Sequence, residues 1–151
     1  MGITIAEPVS RPIDKLLDQY ADSHRNHRNE MIHFVCVPAI VWSLLGVLWA
    51  LHPLTAVGAA AAAQLYYLRL SAPFAIGMAV MSALFIASLA MLPPDRVLPL
   101  AAAVFVVAWI GQFIGHKIEG KKPSFFEDLR FLLIGPLFVL GFLYRRLHVR
   151  Y

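Results

Sequence analysis

Residues 33–51 read HFVCVPAIVWSLLGVLWAL, a run without a single charge. Crossing the hydrocarbon of a bilayer takes a helix of about 20 mainly apolar residues. Three further stretches have the same character: 54–70, Ala-rich and closing with Tyr66, Tyr67 and Arg69; 73–92, ended by Pro93-Pro94-Asp95-Arg96; and 97–115, leading directly into His116. In lipid only helices and closed barrels satisfy every backbone group, and continuous apolar runs of this length specify helices. Composition agrees. The chain is 60% hydrophobic and 15% charged, against about 45–50% and about 25% in ordinary soluble domains. These features exclude a soluble globular enzyme, a disordered tail and a nucleic-acid binder. They predict an all-α integral membrane protein, one domain over residues 1–151, with four transmembrane helices. The single Cys36 allows no internal disulfide, and no targeting segment is expected ahead of the first apolar run.

A fifth apolar stretch, 129–144, is short and interrupted by Gly135-Pro136 and Gly141, so it either spans or re-enters. Ser124 and Glu127 read as a capping box opening it, and Asp128 suits the positive end of that helix. Ahead of the first span, Ile13, Leu16, Leu17 and Tyr20 repeat at helical spacing between polar residues. That pattern predicts an amphipathic helix lying on the membrane interface.

Short connections force the spans to alternate. The face at which the first span begins, here the near face, therefore also carries the end of the fourth. His24, His27 and His33 thus share a face with His116, more than eighty positions away. Nine basic side chains lie on the near face against four on the far face, or twelve against one if the fifth segment returns. By the positive-inside rule the near face is cytoplasmic, and an even number of crossings gives the better ratio.

Ionisable groups at membrane depth are costly and mark function. Several imidazoles facing one another suit a metal, and imidazole serves iron, zinc, copper and nickel alike. His24 and His33 are nine residues apart, about 900° at 100° per residue, which is half a turn out of phase. One straight helix would point them apart, so a shared metal requires a break between them, with Asn26 or Asn29 the plausible place. Asn29 and His33 share a face and so do Gln112, His116 and Glu119, so Asn29 can orient His33. Glu119 is open to three roles: metal ligand, supporting acid, or salt partner of Lys117 or Lys121. His52, His148 and His27 are most simply hydrated surface side chains. Gln64, alone in its span, reads as interhelical glue.

Two blocks of this chain, Tyr20-x3-His24-x-Asn26-x2-Asn29-x3-His33-x4-Pro38 and Gln112-Phe-x-Gly115-His116 with Lys121-Lys122-Pro123, resemble the Mpo-like family of membrane proteins. The resemblance covers nearly the whole chain, from Tyr20 to about Phe142. It implies an Fe(II)-dependent dioxygenase that α-oxidises long-chain 2-hydroxy fatty acids and shortens them by one carbon. It also implies iron on His24, His33 and His116; Glu119, in a segment one residue shorter than the fungal one, is a candidate fourth ligand whose alignment the resemblance leaves open. The balance RCH(OH)COOH + O2 → RCOOH + CO2 + H2O closes without another reductant. Tyr20, Asn29, Gln112, Lys121 and Lys122 are then candidates to support the ligands or meet the substrate. Arg25, Arg28 and Lys117 add to the positive field that would steer a carboxylate.

The expected partners are the 2-hydroxy fatty acid, O2 and membrane lipids, with no nucleic acid and with room for a homo-oligomer. The expected location is a bacterial inner membrane, or the endoplasmic reticulum in a eukaryote. The competing class is a non-catalytic membrane scaffold or lipid-binding protein. Between the two stands a metal-dependent lipid hydroxylase or hydrolase. Stoichiometric metal, and which metal, discriminates among them.

Overall fold

The computed structural model describes residues 11–123 and 130–151. The expected capping box at Ser124 and Glu127, and Asp128, lie outside them. Among the described residues there are six helices and no strand: α1 Pro12–Ala21, α2 His27–Leu51, α3 Pro53–Leu70, α4 Ala72–Ala90, α5 Pro94–Glu119 and α6 Phe131–Arg146. Three of these, α2, α4 and α5, are long and apolar enough to cross a membrane. The Ala-rich α3, 18 residues long, is not in that set. It nevertheless returns the chain between α2 and α4, so α2–α5 form an up-and-down bundle with very short connections.

The antiparallel seam between α2 and α5 sets the architecture. Its register can be read from three close approaches. A Cβ on Gly46 would lie 2.8 Å from that of Ala101, one on Gly111 would lie 2.5 Å from Cys36 Sγ, and one on Gly115 would strike Asn29 Oδ1. Small residues let helix backbones come this near in lipid, where packing rather than hydrophobicity drives association. The same register brings the start of α2 to the end of α5. There α5 stops at Gly120, whose left-handed φ of 75° permits the Lys121 N–H to reach the His116 carbonyl. Elsewhere Trp42 Nε1 donates to Ser88 Oγ between α2 and α4, and Gln64 Nε2 donates to the Ala75 carbonyl between α3 and α4. Gln64 is the interhelical tie its isolation suggested.

The fifth apolar segment turns back. Near its start, Phe131 contacts Tyr20 and the Leu133 carbonyl accepts from Tyr67 Oη. Near its end, Tyr144 Oη donates to the Pro73 carbonyl and stacks on Phe74. Tyr67, Pro73 and Phe74 all sit at the near ends of their helices, so α6 lies across that end and does not run the length of the bundle. The C-terminal Tyr151 follows, its carbonyl accepting from Arg11 and its ring against Phe74. Thus the chain after α6 lies at the same end of the bundle as the start of α2 and the end of α5.

The helix expected on the interface has a different partner. The face of α1 made by Ile13, Leu17 and Tyr20 is buried with Phe131, Ile134, Leu137 and Phe138 of α6. Its apolar stripe is spent on protein packing, because α6, lying across the same end of the bundle, offers a complementary surface.

Candidate metal centre

The break required between His24 and His33 falls at residues 22–26. As α1 ends, Ser23 N donates to the Tyr20 carbonyl and His24 N to that of Ala21, a tightened last turn that carries His24 back beneath Tyr20. The next helix starts at Asn26, whose side chain accepts from Arg28 N at 3.0 Å, an N-cap. His24 therefore leaves the helical phase of His33 before α2 begins.

His24, His33 and His116 then meet in the interior. They are 1%, 1% and 3% exposed, and one ring nitrogen from each lies within 4.8 Å of the others. His24 Nδ1 contacts the Tyr20 carbonyl at 2.7 Å and His33 Nδ1 the Asn29 carbonyl at 2.9 Å. A carbonyl only accepts, so both Nδ1 atoms carry the proton and both Nε2 atoms present lone pairs. His33 Nε2 lies 3.1 Å from His116 Nε2. His24 Nε2 and His116 Nδ1 are buried without a hydrogen-bond partner. Whichever tautomer His116 adopts, the cluster keeps unsatisfied buried nitrogens, each costing about 1–3 kcal/mol. A cation that accepts one lone pair from each ring relieves His24 Nε2 and one nitrogen of His116, so the residues fit a metal. Backbone carbonyls on the far nitrogens are the usual means of fixing a ligand imidazole's tautomer and orientation. Burial also holds His24 below the ordinary histidine pKa, so it stays neutral and able to ligate.

The wall of the cluster is aromatic. Tyr20 stacks on His24 with centroids 4.2 Å apart and planes at 8°, and Phe138 lies 5.6 Å from it. Gln112, buried one turn before His116, lines a cavity with it.

Glu119 is placed differently from the ligand expectation. Its carboxylate accepts from Arg25 N at 3.0 Å, Asn26 N at 2.9 Å and Asn29 Nδ2 at 3.1 Å. It thus holds the turn that carries His24, and its oxygens are outside the ligand group of the three histidines. Asn29 serves His33 through its backbone carbonyl, while its side chain, fully buried, bonds Ser23 O and Glu119. Lys121 Nζ donates to the Asp22 carbonyl at 2.6 Å, a second tie on the same turn. Lys122 is exposed at an open basin shared with Gln19, Ser23 and Arg130. His27 is exposed, 3.6 Å from Glu30, and His52 accepts from Leu54 N as the N-cap of α3. Neither belongs to the cluster. Pattern reading passed over Ser23 and Phe138; the burial of Ser23 leaves no trace in its neighbours, whereas Phe138 sits in a segment whose return path was open.

The family described as 2-hydroxy-palmitic acid dioxygenase Mpo1-like matches residues 10–147. This chain belongs to that family. It is also similar to the 2-hydroxy-palmitic acid dioxygenase MPO1 of Saccharomyces cerevisiae, 26% identical over 127 residues, covering 80% of this chain and 73% of the relative. No solved structure matches it. The matched range spans the segments that carry the three histidines.

Proposed function

We propose that this protein is an iron(II)-dependent dioxygenase that converts long-chain 2-hydroxy fatty acids to the acid one carbon shorter. Four helices, α2 to α5, cross the membrane, with the near face cytoplasmic in a bacterial inner membrane. The observation that carries the reading is the buried convergence of three imidazoles, two of which, His24 and His33, have their tautomers fixed by the Tyr20 and Asn29 carbonyls. Membership of a family named for such a dioxygenase supports the substrate class.

His24, His33 and His116 hold the metal. When bound, iron(II) supplies the one-electron chemistry that lets O2 react with a closed-shell acid. The remaining tasks belong to the chain. Tyr20 and Phe138 exclude water from the cluster by covering His24. Gln112, beside His116, is placed to meet the polar head of the acid. Lys122, with Arg25 and Arg28, adds positive potential that draws the carboxylate to this face. Glu119 and Lys121 keep the His24 turn closed.

The test is anaerobic reconstitution of the purified protein with iron(II), followed by O2 and a long-chain 2-hydroxy fatty acid. Mass spectrometry should find the shortened acid and CO2 in equal amounts, with neither from His116→Ala. Metal-loaded, folded protein that yields no shortened acid would overturn the substrate class. Zinc in place of iron after native purification would favour lipid hydrolysis.

A further inference from the structure

We infer that the substrate's acyl chain lies in a groove between α2, α3, α4 and α6 that begins at the histidine cluster, and that Ala63 and Ala60 act as successive marks on a chain-length ruler. This deepens the reading above and rests on it.

Two cavities make the path. A narrow one, about 60 Å³, has Tyr20, Gln112 and His116 at its polar end and Val41, Leu44 and Leu132 at the other. A larger one, about 310 Å³, shares Val41, Leu44 and Leu132 and continues to Leu48 on α2, Ala59 on α3 and Ser82 on α4. Val41, Leu44 and Leu132 stand between the two, so the proposed path runs from one to the other past these side chains. At the head stands His116, buried and with Nδ1 unpartnered. The groove exists because of the composition of α3. That helix turns Ala60 and Ala63 to the groove, while Leu65 and Leu68 stand exposed on its outer side. Methyl groups cannot fill the space that leucines would. Leu44 and Leu132, 42% and 40% exposed, form a lateral mouth through which a chain can enter from the bilayer.

The dimensions fit a long chain. From the level of His33 to that of Leu48, α2 rises about 22 Å at 1.5 Å per residue. An extended alkyl chain, with C–C bonds of about 1.5 Å, advances about 1.3 Å per carbon, so about 17 carbons fill that depth. Because α3 runs back towards the near face, Ala60 lies deeper than Ala63 by about 4.5 Å, or about three carbons.

The test uses full-length protein in phospholipid nanodiscs. A 2-hydroxy fatty acid with a diazirine at its terminal carbon is photolysed and the label mapped by mass spectrometry. Label is expected on α3 and α4 between Ala59 and Ser82, falling at least tenfold when unlabelled 2-hydroxy acid competes. In parallel, Ala63→Phe and Ala60→Phe are assayed across chain lengths. Each buried methylene multiplies affinity about fourfold, so excluding four should lower kcat/KM for the longest acid about 200-fold relative to one four carbons shorter. Metal content should not change. The cutoff of Ala63→Phe should fall about three carbons below that of Ala60→Phe. Label confined to the outer positions Leu65 and Leu68, or both variants keeping the parent's length profile, would overturn the groove. So would labelling by a phospholipid carrying the same tail that the acid fails to displace. If the wild type turns over no 2-hydroxy acid yet the competed label still maps to the groove, the activity falls and the groove stands.

Discussion

Glu119 accepts three hydrogen bonds from the turn that carries His24 and from Asn29, and its substitution has a calculable outcome. In Glu119→Ala three N–H groups lose their acceptor. Arg25 N and Asn26 N lie in an exposed turn and regain water, but Asn29 is fully buried, and although its Nδ2 keeps the Ser23 carbonyl through one N–H, the other is left unpaired. A stranded buried donor costs about 1–3 kcal/mol. Taking about 2 kcal/mol, the closed turn weakens by about thirtyfold, and this is the ceiling on lost metal affinity if the turn must close for His24 to ligate. That agrees with the 10- to 100-fold cost typical of residues that orient a ligand. Glu119→Gln keeps one oxygen for Asn26 N and Asn29 Nδ2 and should fall between wild type and Ala. The assay is metal titration followed by elemental analysis, with hydrogen exchange at the Arg25 and Asn26 amides. At saturating metal both variants should bind one equivalent, with faster exchange at those two amides. If Glu119→Gln binds no metal while both amides remain protected, the carboxylate is itself a ligand and the clamp argument is wrong.

The helix seam and the small first helix give two further outcomes. Gly111→Ala places a methyl 2.5 Å from Cys36 Sγ and should cost about 1–3 kcal/mol as overpacking; adding Cys36→Ala should restore most of it, and a simple sum of the two effects in thermal unfolding would disprove the register. Ile13→Ala removes a fully buried side chain between α1 and α6 at about 3 kcal/mol; it should speed proteolysis near residues 22–26 and weaken metal binding, leaving the His33–His116 pair intact.

The sequence exposed the helices and the end of the bundle at which the histidines meet, for specific reasons. Apolar runs as clean as residues 33–51 leave one spanning solution, and short connections such as Ser71 leave one alternation. The nine-residue spacing of His24 and His33 was enough to demand a break, which fell where Asn26 supplies a cap. The destiny of α1 and α6 was illegible because an apolar stripe states that it must be covered and not by what. Lipid and a returning helix satisfy Ile13, Leu17 and Tyr20 equally well on composition. Glu119 was ambiguous for a similar reason. Its i, i+3 relation to His116 fixes its side of α5, but which donors it meets depends on a turn ninety residues earlier.

That turn is also why the centre and the fold form one unit. The end of α5 supplies His116 and, one turn later, the clamp for the segment bearing His24; α2 supplies His33, and Gly115 lets α5 approach Asn29 closely enough for the arrangement to close. A metal bound there ties α1, α2 and α5 together and binds only the folded chain. At a thousandfold excess over Kd such a ligand adds about 4 kcal/mol of stability. Iron(II) added anaerobically should therefore raise the unfolding temperature, and a chelator should reverse it. His116→Ala should show no shift, because two imidazoles no longer bridge the seam. Glu119→Gln should reach the same plateau shift only at higher metal. A metal-dependent shift that survives His116→Ala undiminished would mean that the stabilising ion binds elsewhere, and the coupling between seam and centre would have to be abandoned.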